Sequence, residues 1–124
     1  MDIETKSYGD VVVLAPAGRI DHTNCERFLQ DIDPQIEACR APGTQLVFDL
    51  SQIDYISSAG LRCFLVAAKR VQPRGGTMVI AQLTPVVKEI FDISRFSMIF
   101  PIYETVRDAL AQLSPQTPAS LDGK

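Results

Sequence analysis

The chain has 124 residues, of which 46% are hydrophobic and 22% charged, and its formal net charge is −3. That length suits one domain around one core, and the composition excludes the disordered class of low hydrophobicity and high charge. Net acidity argues against non-specific binding to DNA, RNA or an anionic membrane surface, and makes a basic partner easier to accommodate.

Ile3 to Tyr8 and Val11 to Ala15 read as a hairpin, with Gly9-Asp10 as the turn and β-branched residues after it. Pro16-Ala17-Gly18 breaks the second strand. From Cys25 the apolar positions Phe28, Leu29, Ile32, Ile36 and Cys39 trace one helical face. Pro34 lies inside that helix, where it removes a backbone hydrogen bond and crowds the preceding turn. A kink or break is expected there, with Asp33 as a possible cap and Pro34 as first residue of a second short helix. Ala41-Pro42-Gly43-Thr44 is a loop into the strand Gln45–Leu50, which is apolar enough to be central.

Ser51 to Ser57 reads as a connection, Ser58 to about Gln72 as a helix stopped by Pro73-Arg74-Gly75-Gly76, and Thr77 to Leu83 as the next strand. Thr84-Pro85 is a helix start, an N-cap residue followed by proline at the first helical position, with Val86, Val87, Ile90 and Phe91 as the buried stripe. Ile99 to Ile102 contains Pro101 and suits an edge strand. Thr105-Val106-Arg107-Asp108 resembles a capping box with Asp in place of Glu. It opens a helix whose apolar face is Val106, Ala109, Leu110 and Leu113. The predicted architecture is α/β: a mixed sheet of about five strands, opened by a hairpin and covered by about four helices, with right-handed crossovers. Residues 1–113 form the domain, and the Pro/Ser/Thr/Gly-rich residues 114–124 are expected to be a disordered tail.

Cys25, Cys39 and Cys63 form no CxxC or Cys/His cluster, so they read as buried or half-buried thiols of a reducing compartment. Met1 to Lys6 carries no apolar signal core, and no window approaches the ~18 apolar residues of a membrane-spanning helix. The expected location is the cytoplasm, without membrane insertion.

Tyr55-Ile56-Ser57-Ser58-Ala59-Gly60-Leu61 places two hydroxyls and two small residues where a buried strand hands over to a helix, since Leu61, Phe64, Leu65, Ala68 and Val71 recur at helical spacing. A serine there can cap the helix by accepting from its unpaired N–H groups. The same N–H groups and the helix dipole also favour an anion, so a phosphate at Ser58 is the alternative use. Four segments together resemble the STAS domain, and within it the bacterial anti-sigma-factor antagonists. They are Ala17-Gly18-Arg19-Ile20-Asp21, then Val47-Phe48-Asp49-Leu50-Ser51 with the serine motif, then Met78-Val79-Ile80-Ala81, and finally Phe100-Pro101-Ile102-Tyr103. Their order and spacing follow the family from about residue 3 to residue 113.

The resemblance implies that Ser58, two positions before Gly60-Leu61, accepts phosphate from a serine kinase that is also the anti-sigma factor. The unmodified form would bind that partner, and the phosphorylated form would let go. A PP2C-type phosphatase would reset the switch, ATP would be bound by the partner, and this chain would need no cofactor of its own. Switching relatives commonly carry Asp before the acceptor and Ser or Thr after it. Here Ser57 and Ala59 occupy those places, which makes Ser57 the alternative acceptor. Arg62, at i+4 from Ser58, could pair with a phosphate or face solvent. The implied partner surface is Asp21, His22, Ser57, Ser58, Ala59, Gly60, Leu61 and Arg62; Asp21 could equally cap the helix after it.

Asp49 and Asp54 could be read as a metal or acid/base pair, but loop carboxylates at a sheet edge are common and no metal site is predicted. Ser58, His22 and an aspartate have the composition of a hydrolytic triad, yet Ile56 stands where a GxSxG elbow needs glycine, so catalysis is not expected. No GxxxxGK[ST] or GxGxxG motif is present either. The rival to a phosphorylation switch is a STAS module docked to a transporter or sensor complex without phosphorylation.

Overall fold

A computed structural model describes residues 3–8, 11–38, 45–74 and 76–113. Five strands form the main sheet: β1 (Ile3–Tyr8), β2 (Val11–Pro16), β4 (Gln45–Asp49), β6 (Thr77–Ala81) and β7 (Ile102–Tyr103), in the order β1-β2-β4-β6-β7. β1 is antiparallel to β2, and every other neighbouring pair is parallel. Two further strands, β3 (Gly18–Ile20) and β5 (Ile53–Ile56), pair parallel in a separate small sheet. The helices are α1 (Cys25–Ala38), α2 (Ser58–Val71), α3 (Pro85–Ile93) and α4 (Val106–Leu113).

Side-chain parity decides which helix covers which face. Alternate residues of a strand point to opposite sides, so Leu14, Leu46, Phe48, Met78 and Ile80 face α1, α2 and α3, where Phe28, Phe64 and Phe91 meet them. Val11, Val13, Val47, Val79 and Ala81 face the other way, against Ala109 and Leu110 of α4. The central strands are apolar on both faces because both are covered. Phe64 lies at the middle of the larger core, with ring centroids 5.3 Å from Phe28, 5.4 Å from Phe48 and 6.3 Å from Phe91.

The structure corrects several expectations. Ser51 to Ser57 is not merely a connection, and Gly18 is not merely a break, since β5 and β3 lie in those segments. Pro34 does not divide its helix: α1 continues through it, and Asp33 caps nothing but meets Arg70 of α2 at 3.1 Å. Pro34 and Gln30, whose carbonyl loses its partner, are both exposed, so water can replace the missing bond. Val86 is 56% exposed rather than part of the buried stripe; it lies about 100° of helical arc from the inward-facing Val87. The edge strand starts after Pro101 rather than before it, because a residue without N–H cannot donate to the ladder; its carbonyl still accepts from Ile80 N at 3.0 Å.

Other starts fall where the residues place them. Thr84 Oγ1 accepts from Val87 N with Pro85 at the first helical position, and Thr105 Oγ1 accepts from Asp108 N at 3.0 Å. Gln82 adopts a left-handed φ of 60° that side-chain-bearing residues avoid. It is held there by Tyr103 O, by Asp49 Oδ1 at 3.0 Å and by Val106 N, which donates to Gln82 Oε1 at 3.0 Å. Gly9-Asp10, Cys39, the loop 41–44, Gly75 and the tail 114–124 lie outside the described residues, as does the side chain of Leu113. Among the described residues no helix is long and apolar enough to cross a membrane.

Phe64→Ala would remove the ring that touches three others. It is expected to cost about 3–5 kcal/mol, read as a lower urea midpoint with unchanged slope.

Candidate functional site

The small sheet brings two distant segments together. β3 runs beside β5, and Ser57 N donates to Ile20 O at 2.9 Å, so the turn after Ile20 and the start of α2 share one surface. Gly60 makes this approach possible. A Cβ there would lie 2.5 Å from Ile20 O and 2.8 Å from Ile56 Cγ2, closer than packed atoms allow. Its role is close packing, and no special backbone angle is involved.

The two serines divide the work at the helix start. Ser57 is the N-cap, with an extended backbone and its Oγ accepting from Gly60 N at 3.2 Å. Ser58 is the first helical residue, is exposed, and its hydroxyl makes no hydrogen bond to any of the described residues. Capping, which the sequence leaves open for Ser58, thus belongs to its neighbour. Ala59 is half-buried and Arg62 exposed. Gly60 and Leu61 are buried, so their contribution to the surface is to position the residues beside them.

Asp21 organises the adjoining turn. One carboxylate oxygen accepts from Thr23 N at 2.9 Å and Thr23 Oγ1 at 2.5 Å, and the other accepts from Arg19 Nε at 2.8 Å. Its backbone carbonyl accepts from Asn24 N and Cys25 N, and Asn24 Oδ1 accepts from Asp21 N at 2.9 Å. The Thr23 hydroxyl and N–H, with help from Arg19, hold this carboxyl below its ordinary 3.8 despite opposition from burial. Asp21 is therefore committed to the chain's own turn, while His22 beside it is exposed.

Two surface residues were not anticipated. The Arg19 guanidinium lies 5.1 Å from the centre of the Tyr55 ring, and Tyr55 is 41% exposed. Their signal in the sequence is faint: Arg19 and Asp21 are two apart on an extended segment and so share a side, but only the β3–β5 pairing shows that Tyr55 stands opposite. Asp49, half of the possible metal pair, accepts from Ser51 N and Gln82 Nε2. Among the described residues no group of three or more His, Cys, Asp or Glu is placed to hold a metal ion. No hydrogen bond joins His22 to Ser58.

Ser57→Ala is expected to lose about 1 kcal/mol of stability with its cap, whereas Ser58→Ala should stay within about 0.5 kcal/mol of wild type in urea unfolding. Gly60→Ala should cost about 1–3 kcal/mol, because the added methyl pushes α2 away from Ile20. A lowered carboxyl stabilises the fold fully above pH 3.8 and loses that contribution as the pH falls through its folded-state value. The stability gap between wild type and Asp21→Asn should therefore hold at neutral pH and narrow as the pH is taken below 3.8.

A model of the STAS domain family matches residues 2–109. BtrV of Bordetella bronchiseptica, provisionally designated an anti-sigma factor antagonist, is 35% identical over 101 residues, covering 82% of this chain and 84% of its own. The anti-sigma F factor antagonist of Paenibacillus polymyxa is 26% identical over 113 residues, covering 91% and 95%. In fold, the chain resembles the Bacillus anti-sigma factor antagonist SpoIIAA in its unphosphorylated form, at a TM-score of 0.71 and 17% identity over 90% of this chain and 95% of that one. It also resembles the phosphorylated form, at a TM-score of 0.64 and 16% identity, covering 90% and 98%. The matched residues span both sheets and the serine-bearing turn, and the chain belongs to the STAS domain family, among its anti-sigma factor antagonists.

Proposed function

We propose that this chain is a cytoplasmic, non-enzymatic regulator that binds an anti-sigma factor when unmodified and releases it when Ser58 is phosphorylated. The partner is a serine kinase that brings its own ATP site, and a PP2C-type phosphatase restores the binding form. Freeing or capturing the anti-sigma factor then sets how much sigma factor is available for transcription. The observation that carries this reading is the division of labour at α2: Ser57 satisfies the helix start, and Ser58 presents an unused, exposed hydroxyl.

A phosphate at Ser58 would add about −1.5 to −2 charges at the positive end of a helix. Arg62, one turn further along and exposed, is a counter-charge within reach of that face. The fold can therefore accept the modification. A partner packed over Ser58 cannot do so as readily, because a close-packed interface would have to desolvate the new charge.

Incubation with ATP and the serine kinases of the source organism, read by intact mass, tests the assignment. One added phosphate is expected in wild type and in Ser57→Ala, and none in Ser58→Ala. Loss only in Ser57→Ala would move the acceptor by one residue. A second reading, a permanently docked STAS module, is favoured by Ser57 in the place where switching relatives carry an acidic residue. That reading gains if Ser58→Asp leaves partner binding unchanged.

A further inference from the structure

Cys25 opens α1 and is half-exposed, whereas Cys63 lies on α2 and is buried. Helix packing brings them side by side. The Cys63 thiol donates to the Cys25 carbonyl at 3.4 Å. Burial, followed by the neighbouring Cys25 side chain and the charges of Cys25 and Glu26, pushes the Cys63 thiol up to about 12. It therefore stays protonated and unreactive at neutral pH, and an oxidant arriving from solvent meets Cys25 first. With Ser58, Ala59 and Arg62, both cysteines line one surface hollow of about 340 Å³.

We propose that Cys25 and Cys63 are a peroxide-sensitive thiol pair that closes into a disulfide joining α1 to α2 beneath the Ser58 surface. The Cys25 thiolate attacks one oxygen of hydrogen peroxide; the S–O bond forms, the O–O bond breaks, and the departing hydroxide leaves as water after taking a proton. Cys63, giving up its proton, then attacks the sulfenic sulfur. The S–S bond forms, the S–O bond breaks and a second water leaves. Two thiols are oxidised by two electrons and one peroxide is reduced to two waters. In a reducing compartment the bond is transient and is undone by thiol exchange, which suits a signal.

The test treats the reduced full chain with a small excess of hydrogen peroxide, quenches by alkylation, and follows intact mass and peptide maps. The expected product has lost the mass of two hydrogens, contains a peptide linking Cys25 to Cys63, and reverts with dithiothreitol. Cys39→Ser should behave identically, and Cys63→Ser should stop at oxygen adducts on Cys25. Should Cys63→Ser fail to fold, the wild-type map decides alone. Oxygen adducts without the cross-link, a link through Cys39, or no reaction would overturn the proposal. So would a cross-linking rate that rises several-fold in low urea, since the thiols would then be meeting only in opened chains.

Discussion

Gly60 lies so close to the Ile20 carbonyl that no larger residue fits between them, and the arrangement of the whole face follows from that approach. The same carbonyl accepts from Ser57 N. One backbone oxygen thus fixes both the strand that ends in the Asp21 turn and the serine that caps α2. The small sheet of β3 and β5 extends this link backwards, and the buried Leu61 and Phe64 anchor α2 in the larger core. What reaches the surface after these demands are met includes His22, Thr23, Asp54, Ser58, Arg62, and the stacked pair Arg19 and Tyr55.

Much of the frame was legible because its physics is local or periodic. The apolar runs at Leu46, Val47 and Phe48 and at Met78, Val79 and Ile80 are dense enough to mark strands covered on both faces, and Thr84-Pro85 and Thr105 announce helices through groups within three residues of each other. The small sheet was not legible. β3 has three residues with a polar one in the middle, and β5 exposes Asp54 and Tyr55 between two buried isoleucines, so neither shows a strand's alternation. Only their mutual pairing makes them strands. Pro34 misled for a related reason: its local cost is real, but it falls on the solvent side of a helix whose other face holds Phe28, Ile32 and Ile36 in the core.

The site was legible in part. Two adjacent serines before a helix state that one of them caps, yet which one depends on where the chain leaves the strand, and this is set by the Ile20 carbonyl. Asp21 shows the opposite case, since its turn bonds to Thr23 and Asn24 are local, yet the resemblance alone placed it on the partner surface. The neighbourhood of Cys25 and Cys63 depends wholly on packing between residues 38 apart, and no spacing rule would have found it.

The central claim is that a phosphate at Ser58 breaks a contact without breaking the fold. Partner affinity and urea stability measured on one preparation of the phosphorylated chain, beside the unmodified chain, test it most directly. Affinity for the anti-sigma factor should fall at least about tenfold, about 1.4 kcal/mol, while folding stability stays within about 1 kcal/mol of the unmodified chain. Unchanged affinity, or a loss of affinity matched by unfolding of the chain, would contradict it.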